Sequence, residues 1–378
     1  MLASPSHLRP TWIIVAVTCL CIFLLYRWHA AYTNDIPSIS RKHGVTPANS
    51  TLGFGALYVV SAPGSPRRVH LEQAAAITEL ELTVPEQTSW TDEHIKDFRP
   101  PNESDSKVGH GSVMAWLSHH LVLRAFLESG LETALIFEDD VDWDIRLRTV
   151  EIPLAQKAAR SLSTTSWLDS TQYPWGTPTD WDLLYLGHCG DYFNDLNKGV
   201  GVGHHHPNNL TNLHPFTASL LTALEIPPQT RILHKSKWPL CSFGYAITRA
   251  TAQRLLTDVA PPHENPARNL IAYDAAILSG CRDGLLEKCY TVNPELFHHM
   301  EGESMIAGVE AAENHQVFRP PVDQAGLEQV RWRQETSNIN CGFWSGEFWF
   351  EEGDSRRLEW LRQQVGRAGR CVKAGRGE

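Results

Sequence analysis

Glu138-Asp139-Asp140-Val141-Asp142 gathers four carboxylates in five positions, directly after Thr133-Ala134-Leu135-Ile136-Phe137, a run of five uncharged and mostly apolar residues. Such a run reads as a buried strand, and acids at its C-terminal end read as a site, because open α/β sheets take their ligands at that edge. Hard divalent cations prefer oxygen ligands, and Mg²⁺ or Mn²⁺ keeps a share of water and substrate phosphate oxygens. The cluster is therefore suited to hold such an ion against a diphosphate. A solvated acidic turn is the plain alternative, and the apolar strand in front of the cluster argues against it. On an extended segment residues two apart share a face, which predicts that Glu138, Asp140 and Asp142 point together and Asp139 points away. Asp140 is the expected direct ligand, assisted by Asp142 or Glu138.

Other residue types offer supporting chemistry. His298 or His299, after Pro294, could add an imidazole ligand, with two surface histidines as the alternative; His298 is the one assigned. His119 could bond a donor or orient the metal loop, or be a satisfied core histidine. Arg67 and Arg68, at the exit of a first strand, could meet a base or phosphates, and Asp139 a ribose. His204-His205-His206 stands in a Gly, Pro and Asn setting that reads as a loop.

These residues need a frame. Ala56–Val60 reads as a first buried strand, Arg68–Leu80 as a helix, and Leu80–Val84 as a second strand. Ser112–Glu128 reads as a long buried helix closed by Gly130. Strand, helix and strand in this order form a βαβ pattern and imply a parallel sheet. Trp181–Leu186 and Ser242–Thr248 are further strands, Arg249–Val259 and Tyr273–Ser279 helices, and Lys288–Val292 a last strand. Regular signal fades beyond residue 301, and the arginine-rich end reads as a solvated tail.

The composition bounds the class. The chain has 378 residues, 42% of them hydrophobic, with a net charge of −10 and 13 Trp. That is ample for a core, and the acidic balance argues against a nucleic-acid partner. Thr11–Tyr26 carries no charge and is almost wholly apolar; with Trp12, Tyr26 and Trp28 around it, it reads as an uncleaved signal anchor. A cleavable signal peptide, cut near Ala30-Ala31, is the rival reading. Sequons at Asn49, Asn102 and Asn209 agree with a lumenal body. Six of the eight cysteines lie outside the apolar run, an even number that permits three disulfides without fixing their connectivity. The expected organisation is a cytosolic tail over 1–10, a transmembrane anchor over 11–28, a stem over 29–52, the main domain over 53–300, and a C-terminal extension with a basic tail over 301–378.

Several segments in order resemble glycosyltransferase family 25. They are Leu57-Tyr58-Val59-Val60 with Pro66-Arg67-Arg68, then Ser118-His119, then Ala134-Leu135-Ile136-Phe137-Glu138-Asp139-Asp140-Val141. Trp181–Gly187, Gly244–Ala250 and Asp274 follow. The resemblance covers roughly residues 54–300. Met114-Ala115 and Ala272-Tyr273-Asp274 depart from the family pattern. The resemblance implies a Rossmann-like type-A glycosyltransferase α/β fold with a mostly parallel central sheet. It further implies a metal-dependent, inverting transfer of a hexose, galactose first, from a UDP-sugar to a glycan or glycoprotein. Asp274 would then be the catalytic base, with an ordinary helix-capping aspartate as the alternative. Golgi or endoplasmic reticulum membrane, with a lumenal catalytic domain, is the expected location. A catalytically silent sugar-binding protein on the same fold is the rival reading, and a metal-dependent phosphoesterase a weaker one.

Overall fold

The structure is a computed structural model that describes residues 17–23, 43–162, 171–191, 201–205, 213–223, 225–227, 229–300 and 332–376. Its centre is a mixed sheet. The strands are β1 (Ala56–Val60), β2 (Leu82–Thr83), β3 (Thr133–Glu138), β4 (Val141–Trp143), β5 (Leu183–Gly187), β6 (Gly201–His205), β7 (Thr230–Lys235), β8 (Gly244–Thr248), β9 (Cys289–Asn293) and β10 (Phe297–His299). The helices are α1 (Arg67–Thr78), α2 (Asp92–Phe98), α3 (His110–Ser129), α4 (Ile152–Leu162), α5 (Pro215–Ala223), α6 (Arg249–Arg254), α7 (Tyr273–Arg282) and α8 (Ser355–Leu361).

The strand order is β2-β1-β3-β8-β5-β9-β7-β6. The strands β2, β1 and β3 pair in parallel, as do β5 and β9. β8 runs against both β3 and β5, and β7 against both β9 and β6. Six strands along this path therefore point one way, with β8 and β7 reversed. The mostly parallel expectation holds in that form.

The apolar runs explain the centre. β3, β5 and β8 are buried along almost their whole length, as strands covered on both faces must be. Alternation along β3 sends Leu135 and Phe137 to one core, and Ala134 and Ile136 to the other. α3 closes the second core with Trp116, Val122 and Phe126, and ends on Gly130, whose φ of 75° suits a residue without Cβ.

Three differences from the expected frame matter. A strand follows Pro294: β10 pairs antiparallel with β4 and touches β5 at Gly187. Gly187 and Gly244 allow this convergence; a Cβ on either would stand 3.0 Å from backbone of a neighbouring strand. His204 and His205 lie on β6, opposite Arg231 and Thr230, and not in a loop. Residues 332–376 also do not form a loose tail. Cys341, Phe343, Phe348, Leu361 and Val365 join the core that holds Leu57 and Phe137, and Arg362, Arg367, Arg370 and Arg376 all bond to protein groups.

Six cysteines form three disulfides, Cys189–Cys241, Cys281–Cys289 and Cys341–Cys371. Apart from residues 17–23, which are helical, the expected membrane span lies outside the described residues. No helix among the described residues is long and apolar enough to cross a membrane.

Candidate active site

The acidic cluster sits where the sequence places it, at the C-terminal edge of β3, and the topology brings three further elements to that edge. β8 is antiparallel to β3, so its N-terminal end, with Ser242 and Phe243, lies beside Glu138; Glu138 N donates to Phe243 O at 3.3 Å. α7 leads into β9, a strand parallel to β5, so the helix starts at this edge and presents Asp274 there. The turn after β1 supplies Ser61, and the start of α1 supplies Arg67 and Arg68.

Glu138 is the inner carboxylate. Its Oε1 accepts from Ser242 Oγ at 3.0 Å and stands 3.4 Å from His119 Nε2. Burial pushes its pKa up, yet His119 and Ser242 outweigh this and hold it below the usual carboxylate range. His119 is itself 1% exposed. Its Nδ1 lies 3.1 Å from Tyr245 Oη, which lies 3.1 Å from Tyr273 Oη, and the imidazole stacks on Tyr273 at 4.4 Å. His119 therefore stands buried behind Glu138, held by Tyr245 and Tyr273.

Asp139 and Asp140 face the β1 turn. Ser61 Oγ donates to Asp139 Oδ2 at 2.7 Å. Arg67 bridges the pair, with Nε 3.1 Å from Asp139 Oδ1 and Nη1 3.1 Å from Asp140 Oδ2. Arg68 folds the turn instead, donating to Ser61 Oγ, Ser61 O and Ala62 O. Arg67 and Arg68 thus have protein partners here, and Asp139 is held by Ser61 and Arg67. Asp140 Oδ1 is buried with no protein partner. Burial, Glu138 and Asp139 together outweigh Arg67 and push the Asp140 pKa up to about 7.

Asp142 departs from the expected trio. Residues 139 and 140 form a turn, which breaks the strand alternation before β4 begins. Asp142 accepts from Thr336 Oγ1 at 2.6 Å, Phe343 N at 2.6 Å and Trp344 N at 3.2 Å. Its carboxylate anchors the C-terminal segment and does not join Glu138 and Asp140. His298 lies opposite Asp142 in register, with Nδ1 2.5 Å from Glu295 Oε1. Burial pushes Glu295 up, but the His298 charge overrides it and holds the carboxyl at about 2. A carboxylate on one ring nitrogen is the arrangement that orients a metal-ligating imidazole. His299, its stacked neighbour at 5.0 Å, adds to the lowering of the Glu138 pKa after His119 and Ser242.

Asp274 lies in the first turn of α7, whose N-cap is Ala272, so it is not the capping residue. Its Oδ2 accepts from Cys241 N at 3.2 Å and its Oδ1 from Ala275 N at 2.7 Å. Burial and then Glu138 raise its pKa against those two hydrogen bonds. Ser61, Ser242, Tyr245, Tyr273 and Glu295 were not singled out by the sequence. Ser242, Tyr245 and Tyr273 carried a signal only as members of segments, the strand Ser242–Thr248, the unit Gly244–Ala250 and the run Ala272-Tyr273-Asp274.

Among the described residues no three His, Cys, Asp or Glu side chains form a ready-made metal cage. Glu138 with Asp140 still fits an ion that keeps water and substrate oxygens. Asp140 Oδ1, buried and without a protein partner, leaves an oxygen that could serve such an ion.

No protein-family model matches the chain, and no curated protein sequence matches it. Among solved structures it is similar to A197 from STIV, at 11% identity and a TM-score of 0.30 over 66% of this chain and 86% of that one. It is also similar to a glycosyltransferase involved in the glycosylation of the major capsid of PBCV-1, at 9% identity and a TM-score of 0.32 over 66% of this chain and 94% of that one. At these scores the chemistry rests on the site itself.

Proposed function

We propose that the chain is a metal-dependent glycosyltransferase that moves a hexose from a UDP-sugar to a hydroxyl of a glycan or glycoprotein with inversion. Galactose is the hexose that the family resemblance implies. The observation that carries the reading is the pair Glu138 and Asp140 at the strand edge, one carboxylate oriented by His119 and Ser242, the other with a buried oxygen that no protein group satisfies. Bound Mn²⁺ or Mg²⁺ would supply charge neutralisation for a departing diphosphate. Glu138 and Asp140 would hold it, with His298 as a further ligand. Asp274 would take the proton of the acceptor hydroxyl, its raised pKa bringing it nearer the range a general base needs.

A lumenal location goes with this reading. It is supported by the apolar run over 11–26, the sequons, and the disulfides, which persist in oxidising compartments.

One observation favours a silent sugar-binding protein: Arg67 already sets positive charge against Asp139 and Asp140. Asp140→Asn separates the two. In a transferase it abolishes Mn²⁺-dependent UDP binding, seen by calorimetry, and UDP release from UDP-galactose. In the silent reading Mn²⁺ adds nothing to UDP binding in either protein, and that result sinks the proposal.

A further inference from the structure

The acidic edge is not the only place built for a ligand. A cavity of about 690 Å³ opens on the outer side of α3, lined by Trp90, His94, Asp97, His120, Arg124 and Glu128 among others, and by none of Glu138, Asp140, Arg67 or Asp274. Its volume is that of a small-molecule site. His120, Arg124 and Glu128 follow one another at four-residue spacing on α3, so one helix face supplies its floor. Trp90 is half-buried, with Nε1 donating to Ser118 Oγ at 2.8 Å and its ring edge-on to His94 at 5.4 Å. The indole is thus fixed against α3.

His120 points to the ligand's chemistry. It is 2% exposed, and its Nε2 lies 2.5 Å from Ala260 O. Nδ1 is buried and has no partner. With Nε2–H donating to a carbonyl, Nδ1 of a neutral ring is an acceptor. Burial holds the ring neutral by pushing its pKa down to about 4. Around it stand further acceptors, the carboxylates of Asp97, Glu128 and Glu86, against one guanidinium, Arg124. Such a rim repels phosphates and nucleotides and seeks neutral hydroxyl donors.

We propose that this cavity is a second carbohydrate site, separate from the acidic edge, that takes a neutral pyranose. Trp90 offers a flat face to the sugar C–H groups, and His120 Nδ1, Asp97 and Glu128 accept from its hydroxyls. The site does not depend on the chain being a transferase.

The test is saturation-transfer NMR on the full chain with methyl β-galactopyranoside, methyl β-glucopyranoside and methyl α-mannopyranoside as probes, each at about 10 mM, well above a weak-ligand Kd of about 1 mM. At least one glycoside should receive saturation, strongest on its axial C–H protons. Trp90→Ala and Glu128→Gln should each cut the signal at least tenfold while leaving the UDP and Mn²⁺ response unchanged. Should Trp90→Ala fail to fold, Arg124→Ala and Glu128→Gln, both on the exposed face, carry the comparison. No transfer to any of the three glycosides overturns the proposal, as does transfer that persists undiminished in the variants. Capture of a lysine-rich peptide at this face with no glycoside binding overturns it too.

Discussion

His119 Nε2 meets Glu138 Oε1 at 3.4 Å from the buried side of the sheet edge, while the same imidazole stacks on Tyr273, the residue before Asp274. One histidine thus braces the inner carboxylate and the start of the helix that carries the proposed base.

Removing that brace has a signed consequence for pH. Because His119 holds the Glu138 pKa down, His119→Ala should raise it, and the acidic limb of activity should move to higher pH. A lost supporting group of this kind costs about 10- to 100-fold in metal affinity or activity. His119→Gln, which can still donate to Glu138, should restore part of it. A pH–rate profile of the two variants decides; an unmoved limb in His119→Ala would leave the histidine a purely structural role.

Asp142 should matter to folding and not to metal binding. A Cβ at Gly342 would lie 2.1 Å from Asp142 Oδ2, so Gly342→Ala must push the C-terminal segment off its anchor. Overpacking of this sort costs about 1–3 kcal/mol. Thermal unfolding should show the loss, and limited proteolysis should cut within 332–376 sooner. The Mn²⁺ concentration at half-maximal UDP binding should stay where it was. If it rises together with the instability, Asp142 belongs to the metal site after all.

These contrasts show where sequence reasoning reached and where it stopped. Phe137 running into Glu138 was legible because a fully buried strand must be continuously apolar, and its end is then an edge. The direction of β8 was not, since an apolar run such as Gly244–Thr248 reads the same parallel or antiparallel; reversal is what puts Ser242 beside Glu138. Alternation predicted that Asp142 shares a face with Asp140, and the turn at 139–140 undid it. The C-terminal segment lacks periodicity because long-range ties hold it, the Cys341–Cys371 disulfide and the Asp142 carboxylate. Those partners lie far apart in sequence and leave no local pattern.

His120 makes a separate statement about acid stability. Its folded pKa is about 4, below the 6.5 of an unperturbed imidazole. Between those values the unfolded chain binds a proton that the folded chain refuses, so stability falls as pH drops from about 6.5 toward 4 and levels below. At 1.36 kcal/mol per pKa unit the upper figure is roughly 3 kcal/mol. His234, also lowered by burial, adds in the same direction. Glu295, held at about 2, contributes stability that is present above about 4.5 and lost only below it. Denaturant melts from pH 7 to 4.5 should therefore show a shallower decline in His120→Gln than in the parent. Parallel curves would contradict a neutral, buried His120.

Asp274 carries the last and most demanding prediction. It lies in the first turn of α7, whose N-cap is Ala272, so the plain N-cap role does not apply to it. Its oxygens take two backbone N–H groups, from Cys241 and Ala275, which fix the carboxyl's direction. Burial and the nearby Glu138 raise its pKa, so it has more proton affinity than a surface aspartate, as a general base requires. Asp274→Asn keeps size and one acceptor oxygen. It should cost about 1 kcal/mol of stability for one disturbed hydrogen bond. Turnover should fall by roughly 10²–10⁴ if a general base is lost. UDP and Mn²⁺ should still bind, because Glu138 and Asp140 are untouched. The decisive measurement is kcat with saturating UDP-sugar and Mn²⁺ alongside UDP calorimetry on the same preparation. A kcat within a few-fold of the parent, with the small stability loss intact, would reduce Asp274 to a clamp on the Cys241 turn and send the search for the base elsewhere along the edge.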